Sequence, residues 1–305
     1  MIYFYLPEFY YKKPLNSAII GLLRSNPELF YEDIDVGAVY GCFPGSIWNG
    51  GRCIGGTCTK EDMIETIKMY NEGLKVPIRY TFTNCMLEEE DMYDKFCNLQ
   101  LELATNECGN SVLVNSDAMF NHIREYNAAI SNKEQFGIIS STTKRLLDTK
   151  DVLTEAFGDA YDIVVLDYNF NNLDYLFDYP LVSKSCKFEL LLNAYCQDNC
   201  PSRARHYKQL SIQQREFLNN TPDFGACCHI SDDFYDVMET RKSFITREDL
   251  YGKYKEAGYK HFKIEGRTNS VFDVLESYLY YMVKPENIDR VRLKTLKAME
   301  QAGRR

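Results

Sequence analysis

Four cysteines in the second half of the chain have the residue type and spacing of a metal site. Cys196 and Cys200 are separated by three residues, and the adjacent pair Cys227 and Cys228 follows after a loop. Soft thiolates brought together at one strand end are the ligands of iron–sulfur clusters and of zinc. Four thiolates would hold a [4Fe-4S] cluster, whereas Cys196, Cys200, Cys228 and His229 would form a mixed zinc site. We therefore predict a cysteine-bound metal centre, with the cluster preferred and zinc as the alternative.

The spacing of these cysteines leaves the fourth ligand open. Adjacent Cys227 and Cys228 project differently, so Cys42, Cys186 or a ligand from outside the chain could complete the site. A radical-initiating cluster is disfavoured, because its C-x3-C-x2-C motif requires a cysteine at the position of Arg203. A guanidinium at that position could instead offset the negative charge of a cluster or hold an anionic substrate.

Polar residues that follow the predicted strands form a second candidate constellation. In a barrel of parallel strands their side chains would converge at one edge and offer hydrogen bonds to a small polar anion. We expect catalytic roles for Asp167, Asn193, Glu265 and Arg267. We expect substrate-binding roles for Arg52, Asn84, Asn115, Asp117, Asn169 and Arg203. The competing interpretation is that the Asn and Asp residues only cap helices and form turns.

Arg267 is the most specific member of this set. It ends the sequence Lys-Ile-Glu-Gly-Arg, which places Glu265 and Arg267 on either side of a glycine that permits close approach. A guanidinium can hold a ligand carboxylate through two parallel hydrogen bonds, although a salt bridge inside the barrel is the alternative. Arg52, which follows Gly50 and Gly51, is a second candidate cation for an anionic ligand.

Short apolar segments alternate with segments of helical periodicity, and this alternation predicts the elements that position these residues. The strand candidates are residues 2–6, 33–40, 78–83, 111–115, 136–140, 161–167, 188–193 and 261–264. The helix candidates between them include residues 60–72, 88–104, 116–129, 149–157 and 247–257. Apolar strands with helical crossovers predict an α/β fold, a closed (β/α)8 TIM-type barrel. An open doubly wound sheet is the alternative, but no Gly-x-Gly-x-x-Gly motif follows the first strand.

The barrel is expected to be a single domain over residues 1–284. Residues 198–243 interrupt the alternation with prolines and paired cysteines, which indicates an insertion between the last two strands. The insertion belongs to a cysteine-bearing loop, 196–243, and inserted loops at this end of a barrel often carry function. Residues 285–305 are charged and predict a C-terminal helix or tail.

The composition excludes several classes of protein. Its 35 basic and 44 acidic side chains give a formal charge of −9, which supplies no general attraction for nucleic acid or an anionic membrane. No segment approaches the roughly 20 apolar residues of a membrane-spanning helix, and the N-terminal segment lacks the features of a signal peptide. The odd total of 11 cysteines does not suit a fully paired disulfide framework. We expect a cytoplasmic protein with reduced thiols and no membrane partner.

Several stretches of the chain resemble the collagenase-like peptidases, family thirty-two of the uncharacterised peptidase class. Residues 188–207 look like the family's strand followed by cysteines. Residues 244–250 and 258–267 look like its closing helix and strand, and residues 77–117 are similar to its middle strands. The resemblance implies a TIM-type barrel with a [4Fe-4S] cluster held by cysteines at its mouth. A strand that ends at Asn193 replaces the family's Phe-x-His-Gly strand, which indicates a divergent branch.

The same resemblance implies an iron–sulfur enzyme of the hydroxylase-like branch. Members of the family are associated with oxygen-independent hydroxylation of RNA bases or of a quinone precursor, with prephenate as the oxygen donor. In this chain Arg267 and Arg52 would hold such an anionic donor. The acidic charge favours a small biosynthetic molecule, a peptide, or RNA held through a partner protein. The alternatives are a peptidase, and a noncatalytic cluster-bearing subunit that assembles with a homologous subunit.

Overall fold

The computed structural model describes most of the chain. The described residues are 1–104, 108–130, 135–141, 160–178, 182–218 and 233–303. Two predicted metal ligands, Cys227 and Cys228, lie outside the described residues, together with His229 and the predicted helix 149–157.

Eight strands form one closed barrel, in the order in which they follow one another along the chain. Their bounds are β1 Ile2–Pro7, β2 Ile34–Gly41, β3 Ile78–Phe82, β4 Ser111–Val114, β5 Gly137–Ser140, β6 Ile163–Val165, β7 Phe188–Leu191 and β8 His261–Lys263. Every predicted strand is present, with ends that differ from the predicted ones by at most two residues. The predicted α/β fold, a (β/α)8 TIM-type barrel, is confirmed.

Apolar side chains explain why these short segments are strands. β4 reads Ser-Val-Leu-Val and β5 reads Gly-Ile-Ile-Ser. Leu113 of β4 pairs in register with Ile139 of β5, and both are buried in a cluster with Val165 of β6. Burial of such a side chain contributes about 1.5–3 kcal/mol. The contacts between neighbouring strands therefore stabilise segments that are too short to persist alone.

The α-helices among the described residues come between the strands and after the last one along the chain. They are α1 Lys13–Ser25, α2 Lys60–Lys68, α3 Lys95–Ala104, α4 Asp117–Ala129, α5 Arg203–Arg215, α6 Phe234–Thr240, α7 Arg247–Asp249, α8 Val271–Met282 and α9 Ile288–Gly303. Thr59 accepts a hydrogen bond from the Asp62 N–H before α2, and Ser116 accepts one from the Met119 N–H before α4. Such caps satisfy N–H groups that the helix leaves unpaired. Among the described helices, none combines the length and apolarity needed to cross a bilayer.

A side-chain cap breaks one predicted helix in two. The periodicity predicts a helix over 88–104, but the chain forms a 3-10 helix, Glu89–Tyr93, and then α3. Asp94 lies at the break, where its Oδ1 accepts the Cys97 N–H at 2.7 Å. An aspartate that accepts an N–H three residues later favours a new helix start over continuation of the old helix. Hydrophobic periodicity does not show whether a helix continues or a new one starts at such a cap.

Two helices, α5 and α6, lie in the described part of the predicted insertion 198–243. α5 is mostly polar and lacks the apolar stripe that identifies a helix from sequence. Buried polar side chains hold it instead. Gln214 is 2% exposed, donates to the Ser46 carbonyl oxygen at 3.0 Å and accepts the Ile54 N–H at 2.7 Å. α5 was not predicted from the sequence, because hydrogen bonds from polar side chains replace the apolar contacts that give a helix its periodicity.

The chain is divided into two compact units. The first comprises Met1–Val39, Asp167–Asp198 and His229–Arg305, and the second comprises Tyr40–Leu166 and Asn199–Cys228. In the first unit β8 pairs with both β1 and β7, and α1 packs against α9. In the second unit β3, β4, β5 and β6 are consecutive neighbours.

Candidate functional site

The buried side-chain amide of Asn193, after β7, is hydrogen-bonded to Glu265, after β8, and both are predicted catalytic residues. The Oδ1 of Asn193 accepts the Glu265 N–H at 2.7 Å. Its Nδ2 donates to the Glu265 carbonyl oxygen and to Ser277 Oγ, each at 3.3 Å. Asn193 is 0% exposed, so water does not compete for these bonds. The structure thus brings Asn193 and Glu265 together and cross-links the segments that follow the two strands.

The main chain holds the Glu265 side chain in place. One carboxylate oxygen, Oε2, accepts the Tyr195 N–H at 3.1 Å. Burial raises the pKa of the Tyr195 phenol, whose side chain is 1% exposed, and the phenol is therefore neutral at physiological pH. Glu265 consequently lies against the main-chain segment that leads into Cys196.

Glu8, Lys12 and Arg267 form a charged cluster in the first unit. Glu8 directly follows β1 and Arg267 lies four residues after β8, and these two strands are paired neighbours. Lys12 Nζ donates to the main-chain oxygen of Arg267 at 2.9 Å. Glu8 and Lys12 are 1% and 6% exposed, whereas Arg267 is half-buried. An acid and two cations therefore share the carboxyl ends of β1 and β8.

Burial controls the charge of the two most enclosed members of this cluster. Burial raises the pKa of the Glu8 carboxyl, although the charges of Arg267 and Lys12 act in the opposite direction. Burial also lowers the pKa of Lys12, and the charge of Glu8 opposes that change. Both shifts favour the neutral form of the group concerned. An acid and a base shifted toward neutrality at a strand end are characteristic of sites that exchange protons.

Glu8 and Lys12 are functional candidates that the sequence analysis does not identify. Glu8 is a polar residue just beyond the predicted strand 2–6, and a polar residue at a strand end is the signal that identifies Asn193 and Asn115, so the same rule could have found it. Lys12 follows no strand directly. Only the pairing of β1 with β8 brings it to Arg267, and residue spacing does not show that pairing.

Asp167 and Asn169 form a tight turn after β6. Asp167 Oδ1 accepts the Asn169 N–H at 2.9 Å and caps the 3-10 turn Tyr168–Phe170. Asp167 is 6% exposed, and Asn169 is half-buried. These contacts are those of turn-forming residues, in line with the competing interpretation of the polar ring. The catalytic role of Asp167 and the binding role of Asn169 stay predictions.

In the second unit, Asn84 and Asn115 hold main-chain segments at the ends of β3 and β4. Asn84 Nδ2 donates to the carbonyl oxygens of Ile47 at 2.8 Å and Ser211 at 2.9 Å. Asn115 Nδ2 donates to the Thr83 carbonyl oxygen at 2.8 Å. Both asparagines are buried. Their amide N–H groups therefore stabilise the loops at this edge, and their roles toward a ligand stay predictions.

The loop that carries Arg52 packs directly on the end of β3. The Asn84 N–H donates to the Trp48 carbonyl oxygen at 3.0 Å. A Cβ atom placed on Gly50 would lie 2.1 Å from the Thr83 carbonyl oxygen, so only glycine fits this approach. Arg52 is half-buried, and its Nη1 donates to the carbonyl oxygen of the preceding residue at 2.8 Å. Gly50 thus permits close packing of the loop.

Asp117 and Arg203 begin two helices of the second unit. Asp117 is exposed at the first position of α4, where a carboxylate interacts favourably with the helix dipole. Arg203 is 3% exposed at the first position of α5, with its guanidinium carbon 5.8 Å from the centre of the Tyr207 ring. Their predicted roles in substrate binding stay predictions.

The structure describes two of the four predicted cysteine ligands. Cys196 is half-buried and belongs to the first unit, whereas Cys200 is 7% exposed and belongs to the second. Within the described ranges, no three His, Cys, Asp or Glu side chains are grouped as a metal site. The described donors alone therefore do not fit a [4Fe-4S] cluster or zinc. A complete ligand set would have to include residues such as Cys227 and Cys228, which lie outside the described residues.

Comparison with known proteins reveals a likeness in structure without a match in sequence. No family model matches the chain, and no curated protein matches it. A solved structure described as "The Structure of the U32 Peptidase Mk0906" superposes with a TM-score of 0.50 at 10% sequence identity. The likeness covers 87% of this chain and 92% of that chain. The expected resemblance to U32, the collagenase-like peptidases, is therefore confirmed as a shared fold.

Proposed function

We propose that the chain is an enzyme that binds a small carboxylate-bearing compound at the carboxyl ends of β8 and β1. The observation that carries this proposal is the placement of Arg267 and Lys12 beside the buried acid Glu8. TIM-barrel enzymes carry their active sites at this end of the barrel. Two cations next to a buried acid suit a compound whose carboxylate is held by charge-assisted hydrogen bonds.

Each residue of the cluster has a distinct role in this proposal. The guanidinium of Arg267 would hold the carboxylate through two parallel N–H donors, a geometry that a lysine cannot reproduce. Lys12 is a positioning residue as well as a charge, because its Nζ holds the Arg267 carbonyl oxygen. Asn193 positions the segment that leads into Arg267 through its three hydrogen bonds to Glu265 and Ser277.

Calorimetric titration with prephenate, phenylpyruvate and malonate tests the proposed anion site. Loss of hydrogen bonds to a charged group costs about 1.5–3 kcal/mol, so Arg267→Gln should lower affinity by about 10- to 100-fold. Arg290→Gln, on an exposed position of α9, is the matched control and should bind like the wild type. Equal affinity of Arg267→Gln and the wild type, or no binding of any of these anions by the wild type, would refute the proposal.

We further propose that this enzyme carries a [4Fe-4S] cluster and catalyses oxygen-independent hydroxylation, as the resemblance to the collagenase-like peptidases implies. The support comes from the spacing of Cys196 and Cys200 after β7 and from the later pair Cys227 and Cys228. When bound, such a cluster would supply a Lewis acid or single electrons. The described residues would bind and orient the anionic donor, for which prephenate is the candidate.

Metal analysis of protein purified without oxygen tests the cluster. Iron and sulfide in stoichiometric amounts, together with visible absorbance, are expected for the wild type. Cys196→Ser and Cys200→Ser should both lose iron, whereas Cys108→Ser should retain it, since the Cys108 thiol contacts the Asn71 carbonyl oxygen. Stoichiometric zinc without iron would refute the cluster and favour the zinc alternative.

A peptidase function is the second candidate, and it rests on the description of the structural neighbour. Release of amines from a casein or gelatin substrate by the purified chain would favour it. An enzyme that acts on small anions should release none. Obligatory co-elution with a homologous subunit, combined with inactivity of the isolated chain, would instead favour the noncatalytic subunit.

A further inference from the structure

Glu8 has a strained main-chain conformation that the surrounding residues maintain. Its φ angle is +58°, which costs a residue with a side chain about 1–3 kcal/mol. Asn16 Nδ2 donates to the carbonyl oxygens of Pro7 at 3.2 Å and Glu8 at 3.4 Å. The hydroxyl of Tyr278 in turn donates to Asn16 Oδ1 at 2.7 Å. A buried hydrogen-bond network therefore directs the Glu8 side chain into the protein.

The Glu8 carboxyl group is enclosed with one oxygen unpartnered among the described residues. Oε1 accepts the Tyr11 N–H at 3.2 Å, whereas Oε2 meets no hydrogen-bond donor in the part of the chain that the structure describes. An ionised carboxylate in such surroundings is much less stable than a neutral acid. The charged groups that act on it are Lys12, directly before α1, and Arg267, after β8. Burial therefore favours the neutral form of Glu8, whereas the charges of Lys12 and Arg267 favour the ionised form.

We propose that Glu8 couples the binding of a carboxylate to the uptake of one proton, an inference that rests on the proposed function. Glu8 is too buried to touch a ligand, so it acts through the charges of Lys12 and Arg267. With Glu8 ionised, the three side chains carry one net positive charge. When a monoanion binds the two cations, a proton from solvent forms an O–H bond on Glu8 Oε2 and restores that net charge. No bond of the ligand breaks, and Glu8 is a specificity-determining residue.

This coupling predicts how affinity depends on pH. Below the pKa of Glu8 in the ligand-free protein the acid is already neutral, and affinity for an anion is constant. Above that pKa, each binding event must also bind a proton, so affinity falls by up to about tenfold per pH unit. Burial raises the pKa of Glu8, so the fall begins at a higher pH than an ordinary glutamate would allow.

The test is calorimetry of the full chain with phenylpyruvate, which has a single carboxylate, across a pH series. Buffers of different ionisation enthalpy at each pH report the protons taken up, and the wild type should take up about one per ligand where its affinity falls. Glu8→Gln keeps an oxygen for the Tyr11 N–H but cannot ionise. Its affinity should be independent of pH and equal to that of the wild type at low pH. Glu256→Gln, at an exposed position, should retain wild-type proton uptake.

The outcomes separate this inference from the proposed function. Binding by the wild type without proton uptake, or uptake that persists in Glu8→Gln, would refute the coupling and leave the anion site intact. Absence of binding at every pH would refute the anion site and the coupling with it. If circular dichroism shows that Glu8→Gln does not fold, the proton count of the wild type decides alone.

Discussion

Replacing Asn193 with Ala should destabilise the protein by removing the amide that joins the segments after β7 and β8. The Glu265 N–H now donates to Asn193 Oδ1 at 2.7 Å, and without that acceptor it would be buried and unsatisfied, which costs about 1–3 kcal/mol. The two longer bonds, to the Glu265 carbonyl oxygen and to Ser277 Oγ at 3.3 Å, each contribute about 0.5 kcal/mol, the low end for a hydrogen bond, and together add about 1 kcal/mol. We expect the free energy of unfolding to fall by about 3 kcal/mol.

Urea unfolding followed by circular dichroism measures this loss. Asn121→Ala is the matched control, because Asn121 is exposed on α4, and its free energy of unfolding should change by no more than about 0.5 kcal/mol. In the same samples Asn193→Ala should also weaken anion binding, since the segment that carries Arg267 starts at this cross-link. A free-energy loss no larger than that of Asn121→Ala would refute the cross-link as a source of stability.

Three further substitutions test other contacts by urea unfolding. Glu8→Gln should gain stability relative to the wild type as pH rises from about 4 to about 8, because the raised pKa of Glu8 gives the folded state a proton that the unfolded chain releases; parallel pH profiles would contradict this reasoning. Gly50→Ala should lose at least about 2 kcal/mol because its Cβ would lie 2.1 Å from the Thr83 carbonyl oxygen, whereas Gly55→Ala, which meets nothing within 4 Å, should not. Thr59→Ala should lose about 1 kcal/mol with the cap of α2, and an unchanged unfolding midpoint would contradict the capping role.

The barrel could be predicted from the sequence because its strands are short, apolar and bounded by polar residues. All eight segments are identifiable from their alternation with segments of helical periodicity, and the periodicity of α4 predicts its start to within one residue. α5 could not be predicted, since buried hydrogen bonds from side chains such as Gln214 stabilise it in place of an apolar face. Hydrophobic periodicity likewise could not predict that Asp94 caps the start of α3.

The candidate site could be predicted only in part. The rule that polar residues after parallel strands lie at one edge correctly places Asn193 beside Glu265, because both follow neighbouring strands. The rule says nothing about which of these side chains serve the fold. The side-chain amides of Asn84 and Asn115 donate to main-chain carbonyl oxygens. These contacts depend on loop conformations, which cannot be predicted from residue spacing. Lys12 escaped prediction because its contact with Arg267 spans 255 residues of sequence.

That span has a consequence for the order of events at the ribosome. β1 is synthesised well before its partner β8, and the carbonyl oxygen that Lys12 binds emerges 255 residues after Lys12 itself. Until then β1 presents an unpaired edge, which is a template for wrong pairing with other chains. Closure of the barrel and assembly of the charged cluster therefore coincide, and a truncated translation product that lacks β8 would possess neither.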